Sequence, residues 1–457
     1  MAVPHSTGVT NAWGNYDMTP INTHAIPGFV ELLPEEQLLF ERMKASVEKS
    51  YRLFGFAPID TPTIERLDIL LGKVGGETSK QIYRISRDGD EQGLRFDLTV
   101  PLARYVAEHY ANLSFPFRRY HIAKVFRGER PQKGRFREFF QADIDIIGAG
   151  ELSLVNDAEM VAVINHTFRE LGLSDYVIRI SNRKILTGFW ETFGDATKDV
   201  AETLRIIDKL EKIGIDAVKT ELTKLGVNLA TAEKLVSLVS LKGDASKIIP
   251  QLEAMQISNE TFALGIRELQ EIFGLLQAMN VPSQNYMLDL SIARGLDYYT
   301  GTVYETTLSN CPGLGSICSG GRYDNLAEHY TDKKLPGVGI SIGLSRLFSQ
   351  LLANGFLQPK RATPAEILIL PLGDDLKYTM RVASLVRAQG IPTQVFMEHA
   401  KPKKKFAFAD KQKFDFVIVI GEDEEKEEAF SLKNLATGEQ AKYPLSELPT
   451  VIKNVCS

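Results

Sequence analysis

Little in this chain points to covalent cross-links or to bound metal. Its 457 residues hold three cysteines, Cys311, Cys318 and Cys456, an odd number with no CxxC pair, so neither a disulfide framework nor a zinc site is suggested. The seven histidines include no HExxH, which leaves a protein-bound transition metal without a motif. The compartment reads as reducing and cytoplasmic. Residues 1–25 are polar, hold Pro4, His5, Asn11, Asn15 and Pro20, and show no basic start running into an apolar core. No signal peptide is read from them. Nor does any apolar run approach the roughly 18 residues of a membrane helix, so no membrane is expected among the partners.

The excess of one charge is equally small. A net charge of −5 and a pI near 5.9 leave any nucleic-acid contact to local patches. No GxxxxGK[ST] loop occurs, and in GVGISIG at 337–343 the third glycine falls one place late for GxGxxG. A nucleotide bound here is bound without either common phosphate loop.

What is present is an ordinary soluble composition, 44% hydrophobic and 24% charged, at a length that suits two or three domains. The most informative stretch is Tyr120 to Gly148, which reads as a long hairpin with a basic connector. Five cationic side chains, Arg127, Arg130, Lys133, Arg135 and Arg137, fall within eleven residues beside Glu129. Guanidinium forks suit phosphate. On the second arm, alternation from Phe136 puts Phe140, Ala142, Ile144 and Ile146 on one face. Phe139, Gln141, Asp143 and Asp145 must then share the other, an acid-lined floor beneath a phosphate-ready loop.

Around the hairpin, the apolar spacing of Leu38, Leu39, Met43, Val47, Tyr51 and Phe54 predicts an amphipathic helix over 34–54. Pro58 and Pro62 confine the next segment to edge geometry. Gly93 to Asp97 reads as a short strand, with Thr99 as the N-cap of a helix that has Pro101 in its first turn. Helical periods dominate from about 183 to 282. Strands resume at 286–292 and 302–308, separated by RGLDYYTG, and a glycine-punctuated strand then enters a helix with Arg346 in its first turn. After a short linker at 360–364, strands alternate with helices, as in a small α/β domain with a partly parallel sheet. Its cluster Lys401, Lys403, Lys404, Lys405, Lys411 and Lys413 suits RNA phosphates, and suits a solvated helix face equally well.

Three segments, FRGERPQKGRFREFFQADIDIIG, RGLDYYTGTVYE and GVGISIGLSRL, occurring in this order, resemble the class II aminoacyl-tRNA synthetases and, within them, the histidyl-tRNA synthetase family. The first looks like motif 2 of the class and the last like motif 3. The helix and proline strand ending at Pro62 look like motif 1, and RGLDYYTG is similar to the family's histidine signature. The resemblance implies an α+β fold, an antiparallel sheet flanked by helices with a helical insertion and a C-terminal α/β domain. The expected layout is an N-terminal extension at 1–24, catalytic parts at 25–183 and 284–358, the insertion at 184–283, and an anticodon-binding domain at 364–457.

The resemblance also implies a homodimer that activates L-histidine with ATP and transfers it to tRNA(His). Catalytic roles would fall to Arg127 and Arg294, on either side of the α-phosphate. Glu129 and Phe139 would contact adenine, while Arg135 and Arg346 would take the β- and γ-phosphates with accompanying Mg²⁺. Asp97 and Thr99 would hold the substrate amino group, in Asp-Leu-Thr where many bacterial members carry Glu-Gly-Thr. Gln141 would face the carboxylate side, and Asp145 and Tyr299, with Tyr298 beside them, the imidazole. The alternative is a non-catalytic regulatory paralogue that partners ATP phosphoribosyltransferase in histidine biosynthesis. That paralogue typically lacks the C-terminal domain and degrades the RGLDYYTG signature, and both are present here.

Overall fold

A computed structural model describes residues 22–456 apart from 73–78, 88, 131–133, 194–199, 208, 293–298, 312, 314, 325–326 and 374–375. The chain opens with α1, Pro34–Leu53, which has proline in its first turn, Glu35 and Glu36 at its positive end, and Phe40, Met43, Val47 and Tyr51 on its buried stripe. A two-residue strand, β1 (Ala57–Pro58), pairs in parallel at the edge of the main sheet, the place where a proline without an N–H costs least. A small three-stranded sheet follows, β2 (Ile64–Arg66), β3 (Arg84–Arg87) and β4 (Asp90–Leu94). It leads into α2, Thr99–His109.

The long hairpin is β5 (Phe117–Phe126) and β6 (Glu138–Ile147), ten residues each and paired along their whole length. Phe136 lies before the second strand begins, so the alternation expected from that residue starts two positions later. Next come α3 (Val155–Glu170), β7 (Tyr176–Asn182) and α4 (Arg183–Thr192), capped by Asn182, whose side chain accepts from the Lys184 N–H. Helices then run from Val200 to α5, Glu260–Ala278. They are interrupted by β8 (Lys242–Gly243), which the helical periodicity hid because two residues carry no period.

The strands β9 (Tyr286–Asp289), β10 (Thr302–Leu308), β11 (Cys318–Tyr323) and β12 (Gly337–Ile342) complete the main sheet, and α6 (Leu344–Ala353) closes it. The nine strands stand in the order β1-β5-β6-β12-β11-β10-β7-β9-β8. Neighbours are antiparallel except at β1–β5 and β7–β9. One continuous core joins α1, the inner face of β6, α3 and α6 to Phe189, Leu222, Leu235 and Leu269 of the helical stretch.

Beyond Ala365 the chain builds two cores of its own on either face of a five-stranded sheet. Its strands are β13 (Ile367–Pro371), β14 (Thr393–Val395), β15 (Phe416–Ile420), β16 (Ala429–Asn434) and β17 (Gln440–Pro444). The first three are mutually parallel and the last two antiparallel. The lysine-rich helix is α7, Pro402–Lys411. Lys405 departs from the expected solvated cluster, since it is buried and its Nζ donates to the Pro371 carbonyl at 2.6 Å. A sixth position on the charged stripe has turned inward, where a carbonyl satisfies the ammonium. Among the described residues no helix is long and apolar enough to cross a membrane.

Candidate active site

The site is built on strand parity. On β6 the side chains of Ala142, Ile144 and Ile146 enter the core, so Gln141, Asp143 and Asp145 face the other way. Across β5 the opposing residues are Ala123, His121 and Arg119; across β12, Ser341 and Gly339 stand opposite Asp143 and Asp145. One strand further on, Gly321 of β11 pairs with Gly339 and Tyr323 with Gly337. Small residues thus make a hollow, and acids line it.

The glycines of GVGISIG have specific work there. A Cβ on Gly339 would overlap the Asp145 carboxylate, and one on Gly337 would overlap the Tyr323 ring. A Cβ on Gly321 would lie 2.8 Å from the ring of Tyr299. The spacing that misses the dinucleotide pattern therefore serves side chains from other strands. Backbone freedom is not its purpose, because none of the three has a positive φ.

Asp145 sits at the bottom of the hollow. Its Oδ2 lies 2.5 Å from Nη2 of Arg119, which is 0% exposed, and its Oδ1 accepts from the Tyr323 hydroxyl at 2.7 Å. Burial pushes the carboxyl up, against the pull of the guanidinium and the hydroxyl. Burial beside these acids likewise raises the Tyr299 phenol, which keeps it a hydrogen-bond donor at neutral pH. Gln141 donates through Nε2 to Ser341 Oγ at 2.7 Å.

On the same face, reaching Gln141 and Ser341, is a cavity of about 320 Å³, lined also by Arg127, Glu129, Arg135, Phe139 and Arg346. Arg127, directly after β5, lies against two rings, 4.5 Å from the Phe96 centroid and 5.1 Å from that of Phe139. Its Nε donates to the Phe96 carbonyl at 3.3 Å. Arg135 lies 3.5 Å from Glu129, and both remain partly exposed. Arg137 does not face the cavity but straps the loop to the entering chain, donating to the carbonyls of Glu129 and Pro27 at 2.9 and 3.4 Å. Lys133 lies outside the described residues.

At the strand-to-helix junction the capping differs from expectation. Leu98 occupies the N-cap position of α2, and Asp97 Oδ1 does the capping, accepting from the N–H groups of Thr99 and Val100 at 3.1 and 2.9 Å. The expected strand at 93–97 is displaced, since β4 ends at Leu94 and frees Asp97 to turn back on the helix. Arg294 and Tyr298 lie outside the described residues; Tyr299 follows them directly.

Two groups at the floor escaped sequence reasoning. Tyr323 could have been found from GGRY, where it shares strand parity with Gly321. Arg119 could have been found as a guanidinium on the same parity as His121 and Ala123. Chemically, the arrangement sets cations at the mouth, suited to phosphates, above anions at the floor, suited to a small cationic or N–H-rich molecule.

Comparison with known proteins points the same way. A family model described as "Histidyl-tRNA synthetase" matches residues 28–347, and one described as "Anticodon binding domain" matches 366–455. A protein named "Histidine--tRNA ligase" from Clostridium tetani is 54% identical over 430 residues, 94% of this chain and 98% of its own. The crystal structure of histidyl-tRNA synthetase from Nostoc sp. PCC 7120 is 40% identical with a TM-score of 0.87, covering 95% of this chain and 99% of that one. A Bacillus halodurans structure described as an ATP phosphoribosyltransferase regulatory subunit/histidyl-tRNA synthetase shares the fold at 20% identity, with a TM-score of 0.73 and coverage of 88% and 99%.

Proposed function

The chain belongs to the histidyl-tRNA synthetase family, and from that premise we propose that the hollow between β5, β6, β11 and β12 is where it activates L-histidine with ATP before charging tRNA(His). The observation that carries this reading is the cavity itself, lined by Arg127, Arg135 and Arg346 and reaching Gln141 of β6, the strand that also carries Asp143 and Asp145 on that face. The regulatory alternative is not favoured. The near-full-length relatives of high identity are ligases, and the C-terminal domain matches an anticodon-binding model.

In the first step a carboxylate oxygen of histidine attacks the α-phosphorus of ATP, the bond to the bridging oxygen of the β-phosphate breaks, and pyrophosphate leaves. No proton must be removed from the attacking group. The protein's task is to hold the attacker in line and to balance charge on the phosphoryl oxygens. Arg127 suits the α-phosphate because two ring contacts and the Phe96 carbonyl hold its guanidinium at the cavity wall, with Arg294 the proposed partner on the other side. Arg135 and Arg346 suit the β- and γ-phosphates, and Glu129 and Phe139 the adenine. In the second step the terminal adenosine of tRNA takes the histidyl group and AMP departs.

For histidine, Asp97 has one oxygen committed to the helix and offers the other, with Thr99, to the amino group. Gln141 serves the carboxylate side, while Asp145 and Tyr299, with Tyr298, serve the imidazole. A fixed carboxylate beneath an imidazole N–H rejects amino acids that lack the donor, on the order of 10⁴-fold, because the acceptor would be left unpaired.

Among the described residues no three ligating side chains converge on a metal site, and the one carboxylate lining the cavity is Glu129. Mg²⁺ would therefore be held by phosphate oxygens and water and would offset phosphate charge when bound. The three free cysteines suit the cytoplasm. A homodimer is supported by the exposed apolar residues Leu33 and Leu53 at the ends of α1, beside the edge strand β1. The exposed lysines Lys403, Lys404, Lys411 and Lys413, on and just after α7, suit the tRNA backbone.

The test is ATP–pyrophosphate exchange with each of the twenty amino acids. Exchange supported by histidine alone is the expected result. No exchange with any of them would return the regulatory reading.

A further inference from the structure

Between Gln141 and Asp145 lies Asp143, a carboxylate to which neither the family's motifs nor the site described above gives a task. It is 2% exposed, and its Oδ1 has no hydrogen-bond partner among the described residues. Gln141 Oε1, one step along the same face, is unpartnered too. An acceptor buried without a donor is costly, of the order of 1–3 kcal/mol and more when charged, so a purely structural acid would have found one. Asp143's other contact is the hydroxyl of Ser341, which also accepts from Gln141.

The charges facing Asp143 come from every neighbouring element. From β5 come Arg119, already committed to Asp145, and His121, whose ring burial and nearby guanidinium groups hold near 4 and hence neutral. From β6 comes Asp145 itself, from the turn before α2 Asp97, and from beyond β5 the more distant Arg127. The raised, neutral hydroxyls of Tyr299 and Tyr51 and the thiol of Cys318 complete the surroundings. Among the described residues these three carboxylates face Arg119, bonded to Asp145, and the more distant Arg127. Burial pushes the Asp143 carboxyl up to about 7, against Arg119 and Ser341. A carboxyl raised in this way holds a proton nearer neutrality than an exposed one, and a cation placed at Oδ1 would displace it.

We propose that Asp143 is a further histidine-binding residue, receiving the substrate's α-ammonium at Oδ1 beside Asp97, and that a proton leaves the protein as the ammonium arrives. The proposal rests on the reading that this pocket takes histidine. It adds a charge-balancing role that makes amino-acid capture stronger as pH rises through neutrality.

Calorimetry on the full-length protein at pH 7, in two buffers of different ionisation enthalpy, tests it. L-Histidine is compared with its desamino analogue, 3-(imidazol-4-yl)propionate, so that proton changes on the imidazole cancel. Histidine should release more protons than the analogue. Asp143→Asn, which keeps the shape of the side chain, should remove that difference and raise the KM for histidine by about 10- to 10²-fold, the scale of one charge-assisted bond. It should leave the KM for ATP within about twofold. Equal proton release for both ligands in the unmodified protein overturns the proposal without any variant, as does an Asp143→Asn protein that keeps its preference for histidine over the analogue. If the unmodified protein binds no histidine, the functional reading falls with it, and the two failures are told apart.

Discussion

At the scale of single residues, the hollow owes its shape to atoms that are missing. Gly339→Ala puts a methyl group where the Asp145 carboxylate now sits, and that carboxylate cannot retreat because Arg119 and Tyr323 hold both of its oxygens. The expected outcome is a rise in the KM for histidine of about 10²-fold, the scale of a reacting partner displaced by an ångström. The KM for ATP should change little, and pyrophosphate exchange reads both. An unchanged histidine KM would mean that Asp145 does not meet the substrate. The sequence carried the acids of this floor plainly, because alternation assigns faces without any knowledge of partners. It could not carry the reason for the glycines. A glycine's purpose here depends on what stands opposite: Asp145 and Tyr323 reach Gly339 and Gly337 from other strands, and Tyr299 reaches Gly321 from the segment before β10. Arg119 was overlooked for the same cause: nothing in the sequence pairs it with Asp145, and only the register of β5 on β6 gives it that partner.

At the scale of elements, the turn between β4 and α2 ties the two halves of the pocket together. Asp97 caps the helix while Phe96, its chain neighbour, holds Arg127 through ring and carbonyl. Asp97, proposed to meet the substrate ammonium, is thus one residue from the Phe96 that holds the arginine proposed for the α-phosphate. Phe96→Ala should lower kcat/KM for ATP by roughly 2- to 30-fold, equivalent to the about 0.5–2 kcal/mol of a cation–π contact, whereas Phe96→Tyr should stay near the parent value. Equal exchange rates in the Ala and Tyr variants would remove Phe96 from this role. The helix itself was legible from Thr99 and Pro101, but its cap was not. Thr99 is a good capping residue by type, and only the early end of β4 at Leu94 hands that task to Asp97.

At the scale of the whole molecule, two regions keep separate cores. Apolar side chains from 365 onward pack among themselves, while those of the helical stretch belong to the core of the main sheet. A chain ending after Lys360 should therefore keep histidine-dependent pyrophosphate exchange and lose most of its charging of tRNA. Loss of both activities, with the fold checked by circular dichroism, would show that the last region supports the first. The C-terminal boundary was readable because a polar linker interrupts the pattern. The continuity of the helical stretch with the sheet was not, since β8 spans two residues and the helices' inner faces show no mark of which core they enter.

The order of the strands also matters while the chain is being made. Gln141 of β6 and Ser341 of β12 are neighbours in the sheet but 200 residues apart along the chain. At about 5–20 residues per second, a ribosome delivers the second roughly 10–40 s after the first. Throughout that interval β6 has one edge open, and an open edge is a template for another chain. Asp143 and Asp145 point inward from that strand, where charge discourages such pairing. The carboxylates proposed to receive the substrate would thus also guard the nascent polypeptide against aggregation until β12 emerges.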